Sequence, residues 1–158
     1  MVNSSKYREQ FDRVKRWYER FREIDQGRLH NRPSDYYQDD VYAFFLNCYH
    51  LKDWIKNDPN VRPRENVEEF INTNEALKLC ADICNGLKHL KRDPRKSRSG
   101  KDPQFGKRDF RLSLPESTIS VKYTIDTADG SVDAFELATK CLRAWEDFIA
   151  SKIVACEE

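Results

Sequence analysis

Apolar residues recur at spacings of three and four through the first segment of the chain: Tyr7, Phe11, Val14, Tyr18, Phe21 and Ile24, with charges filling the gaps. That period places them on one face of a helix over residues 5–26, and Gly27 supplies a stop. A second helix is predicted from Ser34 or Asp35, either of which can cap free amides, to residue 57, ahead of Asp58-Pro59. Its middle, from Val41 to Leu51, is apolar nearly all round, so it belongs at the centre of a helical assembly or at a subunit interface. Only Asn47 and His50 interrupt it, on the side turned away from the Val41–Phe45–Cys48 stripe.

Residues 59–63 read as a connector and 64–72 as a short helix. Thr73 or Asn74 then caps a longer helix to about residue 90. Ala76, Leu79, Cys80, Ile83, Cys84, Leu87 and Leu90 form its apolar stripe, and Lys78, Asp82, Asn85, His89 and Arg92 a continuous polar strip opposite. The pattern changes over 91–106, where Pro94, Gly100, Pro103 and Gly106 stand among many bases and read as a mobile loop. Alternation then sets in: Phe110, Leu112, Leu114, and after Pro115-Glu116-Ser117, Ile119, Val121, Tyr123, Ile125. This is a β-hairpin over about 107–126. Asp129-Gly130 makes the next turn, and Asp133 with Glu136 resembles a capping box. The last helix, 133–155, buries Leu137, Cys141, Leu142, Trp145, Phe148 and Ile149. The expected fold is mainly α: one domain over 1–158, a four-to-five-helix bundle with one β-hairpin inserted before the last helix.

Composition narrows the function classes. Charged residues make up 35% of the chain, but 28 basic and 27 acidic residues leave a net charge of +1, so any polyanion site must be local. One stretch qualifies: residues 88–111 hold ten Lys/Arg against three Asp/Glu. Lys88, Lys91, Arg92, Arg95, Lys96 and Arg98 are the candidate RNA-binding cations, with Phe105 and Phe110 available to stack on bases. No apolar run is long enough for a membrane span, and no apolar stretch follows the first residues as in a signal peptide. A cytoplasmic protein without membrane association is expected. The five cysteines are odd in number, form no Cys-x-x-Cys pair and mostly lie in apolar patterns, so they read as reduced thiols. No glycine-rich phosphate loop or Gly-x-Ser-x-Gly occurs, and neither a cofactor nor a metal is expected.

The candidate chemistry lies in Asn85-Gly86-Leu87-Lys88-His89. Asn85 and His89 are four apart and meet on one helical face, with Asp82 a turn earlier. A neutral histidine can exchange a proton near neutral pH, a nearby carboxylate or amide can fix its tautomer, and Lys88 and Arg92 could hold a phosphate. His89, Asn85 and Asp82 are therefore the candidate catalytic residues of a metal-free phosphodiester-cleaving site. The alternative is that Asn85 and His89 merely finish a helix, where the dipole favours histidine.

This segment resembles the HEPN superfamily, whose motif is an arginine, then Asn, Asp or His, three variable residues and a histidine, late in a bundle helix. Asn85 to His89 matches the Asn-to-His part; Cys84 stands at the arginine position. The resemblance implies a homodimer that joins two motifs at one cleft and cuts RNA without metal, in a toxin or phage-defence role with a cognate antitoxin or other protein partner. A guanidinium can stabilise charge on a transferring phosphate and a thiol cannot, so the departure implies RNA binding with weak or lost endoribonuclease activity. The segment from Phe44 to Trp54 is also similar to uncharacterised bacterial proteins that pair it with an Asn-Gly-x-Lys-His stretch.

Two other readings stay open. One is a non-catalytic interaction module that uses the apolar helix around Val41–Leu51 as a dimer or partner surface. The other is a pocket in which Asn47 and His50 join Asp82, Asn85 and His89, the two histidines offering a metal or small-ligand site. No His-x-x-His spacing supports that metal, and a satisfied core histidine explains His50 as well.

Overall fold

The computed structural model describes residues 5–89 and 93–155. Its fold is mainly α, with helices α1 (Tyr7–Gln26), α2 (Ser34–Asn57), α3 (Val67–Thr73), α4 (Glu75–Lys88) and α5 (Ala134–Lys152). Six strands accompany them: β1 (Arg28–Leu29), β2 (Val61–Pro63), β3 (Gln104–Ser113), β4 (Thr118–Thr127), β5 (Gly130–Asp133) and β6 (Ile153–Ala155). A 3₁₀ turn, Pro94–Lys96, lies between α4 and β3.

Helix α1 forms where the three-four period predicts it. Its exposed face is laced by the pairs Glu9–Arg13, Asp12–Lys15 and Glu19–Arg22. It ends at Gly27, whose φ of 136° is costly for any residue with a Cβ. Asp58, just past α2, accepts from the Tyr7 amide at 2.8 Å and so satisfies a free donor in the first turn of α1. Buried Gln10 donates to the Asn47 carbonyl at 3.0 Å. Near the other end, Asp25 meets Lys122 of β4 at 2.7 Å. Burial raises the Asp25 pKa, and the Lys122 ammonium opposes that rise.

The centre of the molecule is α2. Val41, Phe44, Phe45, Cys48 and Leu51 have no exposed surface. These five side chains are spent within the chain, while Tyr42, Ala43, Leu46 and Tyr49 of the same stretch are only partly buried. Phe21, Phe44 and Phe45 interlock edge-on or tilted at 5.3–6.1 Å between ring centroids. Trp145 of α5 fills the opposite side, its indole Nε1–H donating to the Cys48 carbonyl at 3.1 Å. A fully buried indole contributes several kcal/mol in area alone, provided its N–H is satisfied. Asn66, Asn74 and Asp133 cap α3, α4 and α5 through side-chain oxygens. At α2, by contrast, Pro33 holds the cap position with no side-chain hydrogen bond, and Ser34 is already helical.

The β structure exceeds the hairpin read from alternation. β3 and β4 pair antiparallel, Phe110 opposite Val121 and Leu112 opposite Ile119. β1 and β5 add to β4, giving a four-stranded sheet. Ile119, Val121, Tyr123 and Ile125 turn one face of β4 into the core. A second, two-stranded ladder joins β2 to β6, with Val61 opposite Ala155. Strands of two to four residues are too short to carry a period, so β1, β2, β5 and β6 leave no pattern in the sequence.

Candidate functional site

Helix α4 sets the site. Leu77, Leu79, Cys80, Ala81, Asp82, Ile83 and Cys84 are all buried, so the helix is covered on more than its apolar stripe. The cover over the polar face is the segment 93–103. Asp82 is only 5% exposed. Its Oδ1 accepts from the Arg98 amide at 2.8 Å, and its Oδ2 from the Ser97 hydroxyl at 2.8 Å and the Ser99 amide at 3.0 Å. The Ser99 hydroxyl also donates to Oδ2. Both oxygens are thus occupied by the loop, and Asp82 acts as a loop anchor. Asp82 is therefore not on an exposed strip as the helical period suggested: the donors come from residues 15–17 positions away, which helical period does not see.

The loop is pinned a second time by Arg98. Its guanidinium reaches Glu68 at 2.6 Å, Asn72 at 3.1 Å and the Tyr49 hydroxyl at 3.3 Å. Glu68 also receives Lys52 at 2.8 Å and Lys56 at 3.0 Å. Burial pushes the Glu68 pKa up, but the hydrogen bonds from Lys52, Arg98 and Lys56 outweigh it and hold the group down at about 2. Arg98, read from the sequence as a candidate RNA-binding cation, is thus engaged by three side chains of α2 and α3. The predicted mobile loop is, over 97–101, a tethered one, closed by Lys101 on Glu75 and Asp129.

Asn85 and His89 behave differently. The last helical residue is Lys88, and His89 is the C-cap in extended conformation (φ −126°, ψ 134°). The i, i+4 helical geometry expected of the pair is lost at its last step, because the helix ends at Lys88. Both residues nevertheless line one open cleft of about 980 Å³, between the end of α4 and the segment 93–105. Asp82, Tyr42, Asp93, Lys96 and Phe105 line it too. Tyr42 and Phe105 meet there with ring centroids 4.9 Å apart. Phe105 also packs on Phe45 and Tyr123, so it is a wall of the core and not a free stacking platform. Lys88, Arg95 and Lys96 are exposed, Arg95 paired with Asp93 at 3.1 Å. Lys91 and Arg92 lie outside the described residues.

The second polar pocket does not assemble. Asn47 is turned to α1, where its Oδ1 accepts from Gln10 at 3.2 Å, and its own amide donates to the Ala43 carbonyl at 2.8 Å. His50 is half-buried beside Tyr49. Its pKa is lowered by burial and by the Lys88 charge. Among the described residues, the one grouping of three potential metal ligands contains no histidine: Cys48, Cys80 and Cys141, with Sγ atoms within 4.8 Å of one another. These thiols sit in the dry centre where α2, α4 and α5 meet. Cys80 donates to the Phe45 carbonyl at 3.5 Å and Cys141 to the Ala76 carbonyl at 3.3 Å. The Cys80 pKa is pushed well up by its thiol neighbours and by burial, and burial pushes that of Cys141 up as well. Cys80 and Cys141, protonated and donating to carbonyls, are core packing. At Cys48 burial acts upwards, but hydrogen bonds from Cys141, Cys80 and Trp145 outweigh it and lower the pKa. Three charged thiolates in this setting would carry a large desolvation cost.

Cys84, at the arginine position of the motif, is fully buried, and burial raises its pKa to about 11. It faces the core and supplies neither charge nor a donor to the cleft.

Sequence reasoning missed the partners that shape the cleft: Ser97 and Ser99, Glu68, and Tyr42. None of these left a local signal, since their partners lie on other elements. Compared with protein-family models, with curated proteins and with solved structures, the chain matches none.

Proposed function

We propose that this protein binds single-stranded RNA along the cleft at the end of α4, as a HEPN-like domain in which phosphodiester cleavage is weak or lost. The observation that carries the reading is the convergence of Asn85, His89, Tyr42 and Lys96 on one open cleft, with Lys88 and Arg95 exposed beside it. An amide, an imidazole and an aromatic edge suit a base, and the rim cations suit phosphates. Two features weigh towards binding over cleavage. Cys84 is buried where a guanidinium would stand, and the Asp82 carboxylate is fully occupied by the 97–99 loop. A toxin or phage-defence role, with a protein antitoxin, remains what the HEPN resemblance implies.

Fluorescence anisotropy with a labelled single-stranded RNA tests this. Binding should weaken as salt rises, and a Lys88→Glu/Lys96→Glu pair should lose about tenfold or more in affinity through two lost phosphate contacts. RNA affinity that ignores both salt and the pair of substitutions would refute the reading. Incubation of RNA with the native protein and with His89→Ala, in the presence of a chelator, separates the chemistry. Cutting by the native protein that His89→Ala abolishes would establish a metal-free nuclease; equal background cutting leaves binding alone.

A further inference from the structure

Strand β3 is exposed along nearly its whole length. One of its edges is paired to β4; β1 and β5 join β4 on the other side, so among the described residues nothing pairs the outer edge of β3. Ten residues of open edge span about 33 Å of unpaired amides and carbonyls. The strand is also apolar on one face. Phe110 and Leu112 stand opposite Val121 and Ile119, which are core residues, so they project from the same side of the sheet but beyond the helices that cover it. Phe110 is 45% exposed and Leu112 63%, and Leu114 follows in the turn at 83%. A long edge with an apolar face is a pairing template, and proteins that keep one free blunt it with proline, inward charge or a short strand. The bulge of β3 lies at Phe105–Arg108, ahead of this stretch, and leaves 108–113 regular.

We propose that the outer edge of β3 is taken by β3 of a second copy of this chain, antiparallel and centred on Phe110. The charges select this occupant. In that register Phe110 faces Phe110 of the second copy, and Asp109 of each copy stands beside Arg111 of the other. Two opposite-charge pairs form about the two-fold axis, as an isologous interface requires. Leu112 falls opposite Arg108, whose stem can cover it. The sheet becomes continuous through both copies, and the Phe110 ring of each packs beside that of its symmetry mate. This pairing does not depend on the RNA reading.

Sedimentation velocity of the full chain over a wide concentration range is the test. A dimer is expected. Asp109→Arg and Arg111→Asp, both at exposed positions, should each raise the dissociation constant about tenfold by bringing like charges together twice. An equimolar mixture of the two variants should recover wild-type affinity, since each then meets its opposite. Phe110→Thr, which keeps strand propensity, should weaken the dimer as well, with unchanged circular dichroism. A wild-type chain that stays monomeric overturns the proposal, as does a dimer indifferent to all three substitutions. A monomer in which Arg111→Asp costs RNA affinity also overturns it, by assigning the strand to nucleic acid.

Discussion

Asp82 shows how much one side chain can decide. Its two oxygens take four donors from three consecutive residues, and those bonds hold the wall of the cleft against α4. Hydrogen bonds to a charged acceptor are worth about 1.5–3 kcal/mol each, and they are not additive. Asp82→Ala should cost about 2–4 kcal/mol in urea unfolding and raise amide exchange over 97–101, while α4 stays protected. Unchanged exchange there would mean that the loop is held by other contacts. Glu68 makes a related point about pH. Its pKa is held at about 2 in the folded protein, below the ordinary carboxylate value of 4.5. Its contribution is therefore complete above pH 5 and is lost as pH falls towards 2. The full shift corresponds to at most about 3 kcal/mol, less whatever solvent screening removes at a partly exposed group. Between pH 5 and 2 the urea midpoint of the wild type should fall more steeply than that of Glu68→Gln; parallel curves would disprove the linkage.

At the scale of elements, α4 and β3 carry the interest. The period of α4 was legible in its middle: Leu79, Cys80, Ile83 and Cys84 are buried and Asn74 is the cap. Ala76 and Leu87 are only partly buried, Leu77 is buried outside the stripe, and Leu90 lies outside the described residues. What the period cannot reveal is whether the opposite face meets water. Lys78, Asp82, Asn85 and His89 share a polar character, yet Lys78 pairs with Glu75, Asp82 is buried under the loop, and His89 leaves the helix. Polarity was read as exposure, and a serine-rich loop supplied the polar partners instead. β3 was legible as an alternating strand, but the alternation only says that one face is apolar, and here that face outruns the helices. Its start depends on Gly106: a Cβ at that position would collide with the Asp126 carboxylate on β4. Gly106→Ala should therefore destabilise the hairpin, lowering overall stability by about 1–3 kcal/mol in thermal or urea unfolding. A neutral or stabilising result would show that Asp126 swings aside freely.

For the whole molecule, the order of the main helices could be read from the chain, because long amphipathic segments leave strong periods, whereas the sequence left α2 open between the centre and an interface. Charge was harder. The basic stretch 88–111 suggested a field, but much of it is neutralised on folding. Arg95 meets Asp93, Arg98 meets Glu68, Lys101 meets Glu75 and Asp129, and Lys107 meets Asp109. What is left for a polyanion among the described residues is Lys88 and Lys96 beside the cleft and Arg108 and Arg111 on β3, rather than a continuous basic arm. The stretch from Asn85 to His89 stood out in the sequence, while the cleft it lines did not: that cleft is walled by Tyr42 of α2, the end of α4 and the 93–105 segment, and no local spacing encodes such contacts.

The short ladder between β2 and β6, extended by the Arg64 amide donating to the Lys152 carbonyl at 2.6 Å, bears on how the chain acquires its shape. It joins segments about ninety positions apart, and so does the pairing of β1 with β4. Trp145, which closes the core over Cys48, is slightly more remote from its partner, 97 positions away. Contacts of such separation carry the largest loop-closure entropy and slow the search. During synthesis, a nascent chain that has released α1 to α4 still lacks the indole that fills their centre. It holds an open apolar cavity until α5 emerges, and the late-made end of the domain thus sets when the early-made helices become native.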